Sequence, residues 1–173
     1  MFSRAGRALT LKREPFTEAF FDSDSAADAA ILVSFVAAAT YVGWLLTGAL
    51  ASFSVLSLFS VVIGGVVSWL ILGFATWFVA TRLFKSSGRP QTMIALQGLA
   101  VLPLLLDIFG PIAGSVGLIW YLVVLVVGTR EATDLPIKNA AVSVLIGFAL
   151  VVLFRVVFRT AFGVAGGLFG ALF

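Results

Sequence analysis

Residues 83–111 decide the fold of this chain, and they read LFKSSGRPQTMIALQGLAVLPLLLDIFGP. A basic polar turn precedes an apolar segment, which Pro103 interrupts and a Gly-Pro turn ends. Proline lacks a backbone N–H and crowds the carbonyl four residues earlier, here that of Leu99. Because hydrocarbon offers no water to a freed carbonyl, that group must find a partner inside the protein. We therefore predict a membrane-spanning helix that is broken at Pro103 and packed against its neighbours there.

The composition of the whole chain is that of a membrane protein. Of its 173 residues, 61% are hydrophobic and 11% are charged, and the mean hydropathy is +1.17. A soluble domain carries roughly 25% charged residues, so this chain could not cover a soluble surface. The length fits a single membrane domain.

Cysteine and histidine are both absent from the sequence. Their absence excludes disulfides, cysteine nucleophiles, histidine bases, and metal or haem sites ligated by these residues. We therefore expect a protein that is not an enzyme and that has no catalytic residue, cofactor or metal.

Five apolar segments approach or exceed the length needed to cross a bilayer, for which about 20 residues suffice. The predicted spans cover residues 29–50, 55–81, 91–106, 112–128 and 137–154. The predicted fold class is an all-α polytopic membrane protein with five transmembrane helices. The chain divides into a leader over residues 1–28, a five-span domain over 29–154 and an apolar tail over 155–173.

Local signals predict where helices end and touch. Gly88 is expected to stop the second span, Pro90 to begin the third, and Asp134 to cap the fifth. Four small or amide residues of the third and fourth spans are expected to let helices approach and hydrogen-bond, and packing is the default interpretation for all of them. They are Gln97, Gly98, Ser115 and Gly117.

The two ends of the chain carry weaker signals. In the leader, Phe2, Ala5 and Leu9 fall at helical spacing, which predicts an amphipathic helix on the membrane surface. In the tail, Arg155 and Arg159 share one helical face. The tail either extends the fifth span or lies in the interface as a helix.

Basic residues are distributed unequally between the two sides of the predicted membrane domain. One side receives nine, namely Arg4, Arg7, Lys12, Arg13, Arg82, Lys85, Arg89, Arg130 and Lys138. The other side receives Arg155 and Arg159. The excess of lysine and arginine on cytoplasmic loops therefore predicts a cytoplasmic amino terminus and a carboxyl terminus outside.

Asp107 is the only acidic residue between Asp28 and Glu131. Charges at membrane depth are rare and are usually paired. One hypothesis pairs Asp107 with Arg155 or Arg159, which would close the outer surface. The alternatives are a solvated carboxylate that caps the fourth span and a group that couples protons or ions. The candidate functional residues are Pro103, Asp107, Gly110, Pro111, Trp120 and Arg155.

Several sequence elements occur in the order found in a known family. They are the leader element Pro15–Phe20, Leu83-Phe84 with a turn to Gly88, Gly98 and Pro103 in one span, Ile119–Leu122 leading to Gly128–Ala132, and Lys138–Ala140. From Pro15 to about Leu153, the chain resembles the Yip family of integral membrane proteins (Ypt/Rab-interacting proteins), in its prokaryotic branch. The order and spacing of the elements carry the resemblance.

The resemblance implies a five-span fold and a cytoplasmic amino terminus. It does not imply Rab binding, because the aspartate–aromatic–glycine–proline signature of the eukaryotic branch precedes the first span, whereas Asp107–Pro111 follows the third. The family's usual glycine pair after Leu-Phe is replaced by Lys85-Ser86. The short leader and the lack of an organelle signal predict a bacterial or archaeal cytoplasmic membrane.

Two functional hypotheses follow from the missing catalytic groups and the one-sided charge. The first is an adaptor, or an assembly or trafficking-type factor, that presents its basic cytoplasmic loops to a partner. The second is a small transport or lipid-handling protein with a cavity at the Pro103 break, where irregular backbone can line a path. The candidate partners are the lipid bilayer, anionic lipid head groups, another membrane or cytoplasmic protein, and a second copy of this chain. Nucleic acid is not expected as a partner.

Overall fold

The computed structural model describes residues 25–48, 50 and 52–163, with side chains as far as residue 157. The predicted leader helix and the tail beyond residue 163 lie outside the described residues. Within the described ranges the secondary structure is entirely helical. The helices are α1 (Ser25–Leu46), α2 (Val55–Phe84), α3 (Pro90–Leu99), α4 (Pro111–Thr133) and α5 (Ile137–Gly163). A 3-10 helix, Leu102–Phe109, lies between α3 and α4 and is called the 3-10 segment below.

The predicted five-span, all-α fold is confirmed. Each of α1, α2, α4 and α5 is long and apolar enough to cross a membrane, and α3 forms a fifth such element together with the 3-10 segment. Large apolar side chains cover the outside of the bundle, including Phe59, Ile119 and Leu145. In a bilayer these side chains face acyl chains that are equally apolar. The chain is an integral membrane protein.

Consecutive spans alternate in direction, which gives the bundle two distinct ends. Residues 85–89 and 134–136 connect helices at one end, which we call the basic end. Residues 47–54 and Gly110 connect helices at the other, which we call the opposite end.

α3 is the centre of the core, because it contacts α1, α2 and α4. A Cβ atom at Gly98 would lie 2.5 Å from that of Ala29 and 3.0 Å from Trp69 Nε1. Glycine therefore lets α1 and α2 approach α3 closely, as predicted for Gly98. Trp69 Nε1 also donates a hydrogen bond to the carbonyl of Ile94 at 2.8 Å. This bond fixes α2 against the α3 backbone.

Gln97 packs in the core, as its default interpretation expects, and makes no side-chain hydrogen bond among the described residues. Its side chain is 1% exposed, but neither atom of its amide group has a hydrogen-bond partner among the described residues. The residue contributes to the packing of α3, but its amide group is buried without a hydrogen bond, which costs free energy of folding.

Three helix ends differ from the prediction. α1 ends at Leu46 rather than near residue 50, because Gly48 turns the chain with a φ of +75°. α2 ends at Phe84 because Lys85, and not Gly88, adopts the left-handed conformation with a φ of 55°. Asp134, with a φ of 51°, ends α4 instead of capping α5. At Pro90 the prediction is confirmed, since α3 begins there.

α5 runs without a break from Ile137 to Gly163. The boundary drawn at residue 154 therefore falls inside a continuous helix. Of the two alternatives for the tail, the described part follows the first, because it extends the fifth span.

Candidate functional site

Pro103 breaks the third span, as predicted, through a change of helix type. α3 ends at Leu99, and the 3-10 segment begins at Leu102 with Pro103 among its first two residues. The missing N–H of proline costs little there, because the first N–H groups of a helix have no intrahelical acceptor. The N–H of Leu104 then donates to the carbonyl of Val101 at 3.0 Å. The half of the span that follows the break thus has a tighter backbone than α3.

Two glycines let α4 pack directly on the 3-10 segment. A Cβ atom at Gly117 would overlap the carbonyl oxygen of Pro103, and one at Gly114 would overlap a carboxylate oxygen of Asp107. Larger residues at these positions would push the two helices apart. The close approach predicted for Gly117 is confirmed.

The turn before α4 is formed by the candidates Gly110 and Pro111. Gly110 has a φ of +102°, which favours glycine, and its N–H donates to the carbonyl of Asp107 at 3.1 Å. Pro111 is the first residue of α4, where its fixed φ suits the helix. Gly110, the N-cap residue of this helix, has no side chain that could cap it, and the alternative in which Asp107 caps the fourth span stays a prediction.

The carboxylate of Asp107 is bound by a tryptophan of the first helix. Trp44 Nε1 donates to Asp107 Oδ2 at 3.0 Å, and both side chains are half-buried. A hydrogen bond between side chains of membrane-buried helices contributes about 1 kcal/mol. Asp107 therefore connects the 3-10 segment to α1.

Arg155 lies toward the opposite end, about 27 Å along α5 from Ile137 at the usual helical rise. Its Nε donates to Ser68 Oγ of α2 at 3.1 Å. Although Asp107 and Arg155 both lie in the described part of the chain, no ion pair joins them; each bonds to a neutral side chain. The structure thus does not show the pairing proposed from the sequence. The side chain of Arg159, the other proposed partner, lies outside the described side chains.

Asp107 and Arg155 nevertheless line the same cavity, which has a volume of about 700 Å³. α1, α2, the 3-10 segment, α4 and α5 all contribute to its wall. The polar and turn residues that line it include Thr40, Trp44, Ser68, Trp69, Asp107, Pro111, Ser115, Tyr121 and Arg155. The structure thus brings three of the six candidate residues to the cavity itself, and Pro103 and Gly110 shape the segment beside it.

Trp120 is not part of this site. Its side chain is 42% exposed on the outside of the bundle. The next residue, Tyr121, is buried and lines the cavity. The helical rotation between the two positions separates a lipid-facing side chain from an interior one.

Sequence analysis missed Trp44 and Ser68, the hydrogen-bond partners of the two charged residues. Both lie in apolar spans, and Trp44 is 63 residues from Asp107 along the chain. The alternation of spans predicts that Trp44 and Asp107 lie toward the same end of the bundle. No local pattern predicts that they touch.

At the basic end, the two connections touch each other. A Cβ atom at Gly88 would lie 2.9 Å from Thr133 Cγ2, and the Gly88 carbonyl accepts a hydrogen bond from Trp77 Nε1 at 2.8 Å. The residues predicted to form the basic loops therefore lie on one surface, which we call the basic surface, and all are exposed. They are Arg82, Lys85, Arg89, Arg130 and Lys138.

Two acidic residues accompany these cations. Glu131 lies 3.9 Å from Arg130 Nε, and Asp134 is exposed in the same connection. Five cations against two carboxylates leave the surface with a net positive charge. Within residues 25–48, 50 and 52–163, no three acidic side chains are placed to hold a metal ion.

A family model described as the Yip1 domain matches residues 14–159. The chain belongs to the Yip1 family. The match spans the five helices and confirms the resemblance seen in the sequence, while membership of the prokaryotic branch stays a prediction. No curated protein and no solved structure matches the chain.

Proposed function

We propose that this Yip1-family protein is a non-enzymatic adaptor, or an assembly or trafficking-type factor, of a bacterial or archaeal cytoplasmic membrane. The basic surface faces the cytoplasm, where it binds a protein partner or anionic lipid head groups. The observation that carries this proposal is the contact between the two connections at Gly88 and Thr133. This contact gathers the exposed cations of two separate loops onto one surface.

The charge of the basic surface supports the proposed orientation. Anionic lipids of the cytoplasmic leaflet attract basic residues near the membrane, by about 1 kcal/mol for each lysine or arginine. Cytoplasmic loops also carry most of the basic residues of membrane proteins in general. Both effects favour the amino terminus in the cytoplasm and the end of α5 outside.

The local structure supports a preformed binding surface. Lys85 is the C-cap residue of α2, and Trp77 Nε1 donates a hydrogen bond to the carbonyl of Gly88. Because the loop is already ordered, binding need not pay for ordering it. The absence of cysteine and histidine from the sequence supports a role without catalysis.

Site-specific photo-crosslinking in native membranes tests this proposal. A photoreactive residue at Ser87, which is exposed in the basic loop, should capture one reproducible protein or anionic lipid. The same residue at Ser52, exposed at the opposite end, serves as the position control. Replacing Arg82, Lys85 and Arg89 with alanine should abolish the product, because the cations provide the attraction.

A charge-conserving variant distinguishes an effect of the lost positive charge from an effect of misfolding. Arg82→Lys with Arg89→Lys keeps the positive charge and should keep most of the crosslinked product. Equal capture from Ser52 and Ser87, or capture that survives the triple alanine substitution, would contradict the proposal.

A further inference from the structure

The cavity between the helices lies in the half of the domain toward the opposite end. Trp44 and Asp107 are near the ends of α1 and the 3-10 segment that face away from the basic surface, and Arg155 lies in the half of α5 that is farther from that surface. The cavity is therefore separate from the surface assigned to the partner above. Its volume of about 700 Å³ falls in the range of small-molecule sites, about 300–1,000 Å³.

The wall of the cavity is mainly apolar. Val33, Val36, Leu72 and Phe148 contribute to it from α1, α2 and α5. A hydrocarbon chain gains free energy when it leaves water for such a wall, and in a bilayer the available hydrocarbon belongs to lipid. The apolar wall thus fits an acyl chain.

The polar end of the cavity carries one cation and one anion that do not neutralise each other. Arg155 donates Nε to Ser68, and Asp107 accepts from Trp44. The other guanidinium donors can still bind a phosphate, for which the planar arginine fork is well suited. The carboxylate can still accept a hydrogen bond from an ammonium group.

We propose that this cavity binds one zwitterionic phospholipid with a primary ammonium head group, of the phosphatidylethanolamine type. One acyl chain lies in the apolar part, Arg155 binds the phosphate, and Asp107 binds the ammonium. A ligand with one charge of each sign matches a site with one charge of each sign, whereas an anionic lipid such as phosphatidylglycerol has the phosphate but no ammonium group to pair with Asp107. This gives the lipid-handling alternative a specific ligand class.

Native mass spectrometry of the full chain from nanodiscs tests the proposal. With equal amounts of phosphatidylethanolamine and phosphatidylglycerol, the protein should retain one phosphatidylethanolamine in preference. Arg155→Gln should reduce that retention by about tenfold, the effect of losing one charge-assisted contact. Asp107→Asn should remove the preference between the two lipids, because it removes the negative charge that pairs with the ammonium group.

A second pair of variants tests the cavity without touching its charges. Ala37→Phe fills the space beside α1, since Ala37 lines the cavity, and should reduce retention as strongly as Arg155→Gln. Ile31→Phe is the matched control on the same helix, because Ile31 is 58% exposed on the outside, and it should retain lipid like the original protein.

Folding is checked by thermal unfolding of each variant, and Arg155→Lys serves as the rescue because an ammonium also binds phosphate. Equal retention of the two lipids by the original protein would overturn the proposal. Equal retention by Ala37→Phe and Ile31→Phe would overturn it as well.

Discussion

The third span contains two regions that follow each other in sequence and differ in almost every physical respect. In α3, most residues are buried, and the helix packs against three neighbours. In the 3-10 segment, Pro103 is the buried residue, and Asp107 faces a cavity. Pro103 thus divides the span into a packed half, which is α3, and an open half, which is the 3-10 segment. The packed half stabilises the bundle, and the open half leaves room for a ligand.

The largest expected effect comes from adding one methyl group to the packed half. In Gly98→Ala, the new Cβ would lie 2.5 Å from Ala29 Cβ and 3.1 Å from its Cα. Because neither α1 nor α3 can move freely, we expect a loss of about 3 kcal/mol in the free energy of unfolding. The measurement is reversible unfolding of the protein in detergent, followed by circular dichroism.

Gly65→Ala is the matched control for this substitution. Its Cβ would lie 3.2 Å from Ala37 Cβ, on the cavity side of α2. The better helix propensity of alanine offsets the tight contact, so the change should stay within about 1 kcal/mol of zero. If Gly98→Ala and Gly65→Ala reduce the free energy of unfolding equally, α3 is not packed more tightly than the cavity side of α2.

A smaller effect is expected where α4 meets the open half. In Gly117→Ala, the new Cβ would overlap the carbonyl oxygen of Pro103. The 3-10 segment lines a cavity on one side, so we expect it to shift toward that space and the loss to be about 2 kcal/mol, less than for Gly98→Ala. The same unfolding measurement checks it, and a loss equal to or larger than that of Gly98→Ala would show that the segment cannot yield.

The smallest effect concerns the hydrogen bond that closes the open half. Trp44→Phe removes the donor to Asp107 but keeps an aromatic ring, and we expect a loss of about 1 kcal/mol, since membrane-buried hydrogen bonds contribute modestly. Trp120→Phe is the control, because Trp120 is exposed on the outside, and it should leave stability unchanged. In a double-mutant cycle with Asp107→Ala, which removes the acceptor, a coupling energy near zero would contradict the importance of this bond.

The packed half was largely predictable from the sequence. The length and apolarity of the spans predict the five helices, and the proline at residue 103 predicts the break. Gly98 was predictable as a point of close approach, because small residues let membrane helices pack tightly. The unsatisfied amide of Gln97 was not, since a sequence shows that a polar group is present but not whether a partner reaches it.

The open half was predictable only in part. Asp107 stood out because it is the only acid in a long apolar stretch, but its partner depends on how α1 packs against the 3-10 segment. How closely the segment that follows Pro103 can approach α4 depends on Gly114 and Gly117, which belong to the next span. These are tertiary contacts, and no local sequence pattern encodes them.

The division of the third span can be measured directly with single cysteines, because the chain has no cysteine of its own. Cysteine would replace Thr40 or Ser115, which line the cavity, and Thr92 or Ala95, which are buried in α3. The rate of maleimide modification would then be measured in purified protein freed of lipid. The cavity positions should react faster by about tenfold or more, because the α3 positions require local opening of the bundle first. Equal rates at the four positions would contradict the division into a packed and an open half.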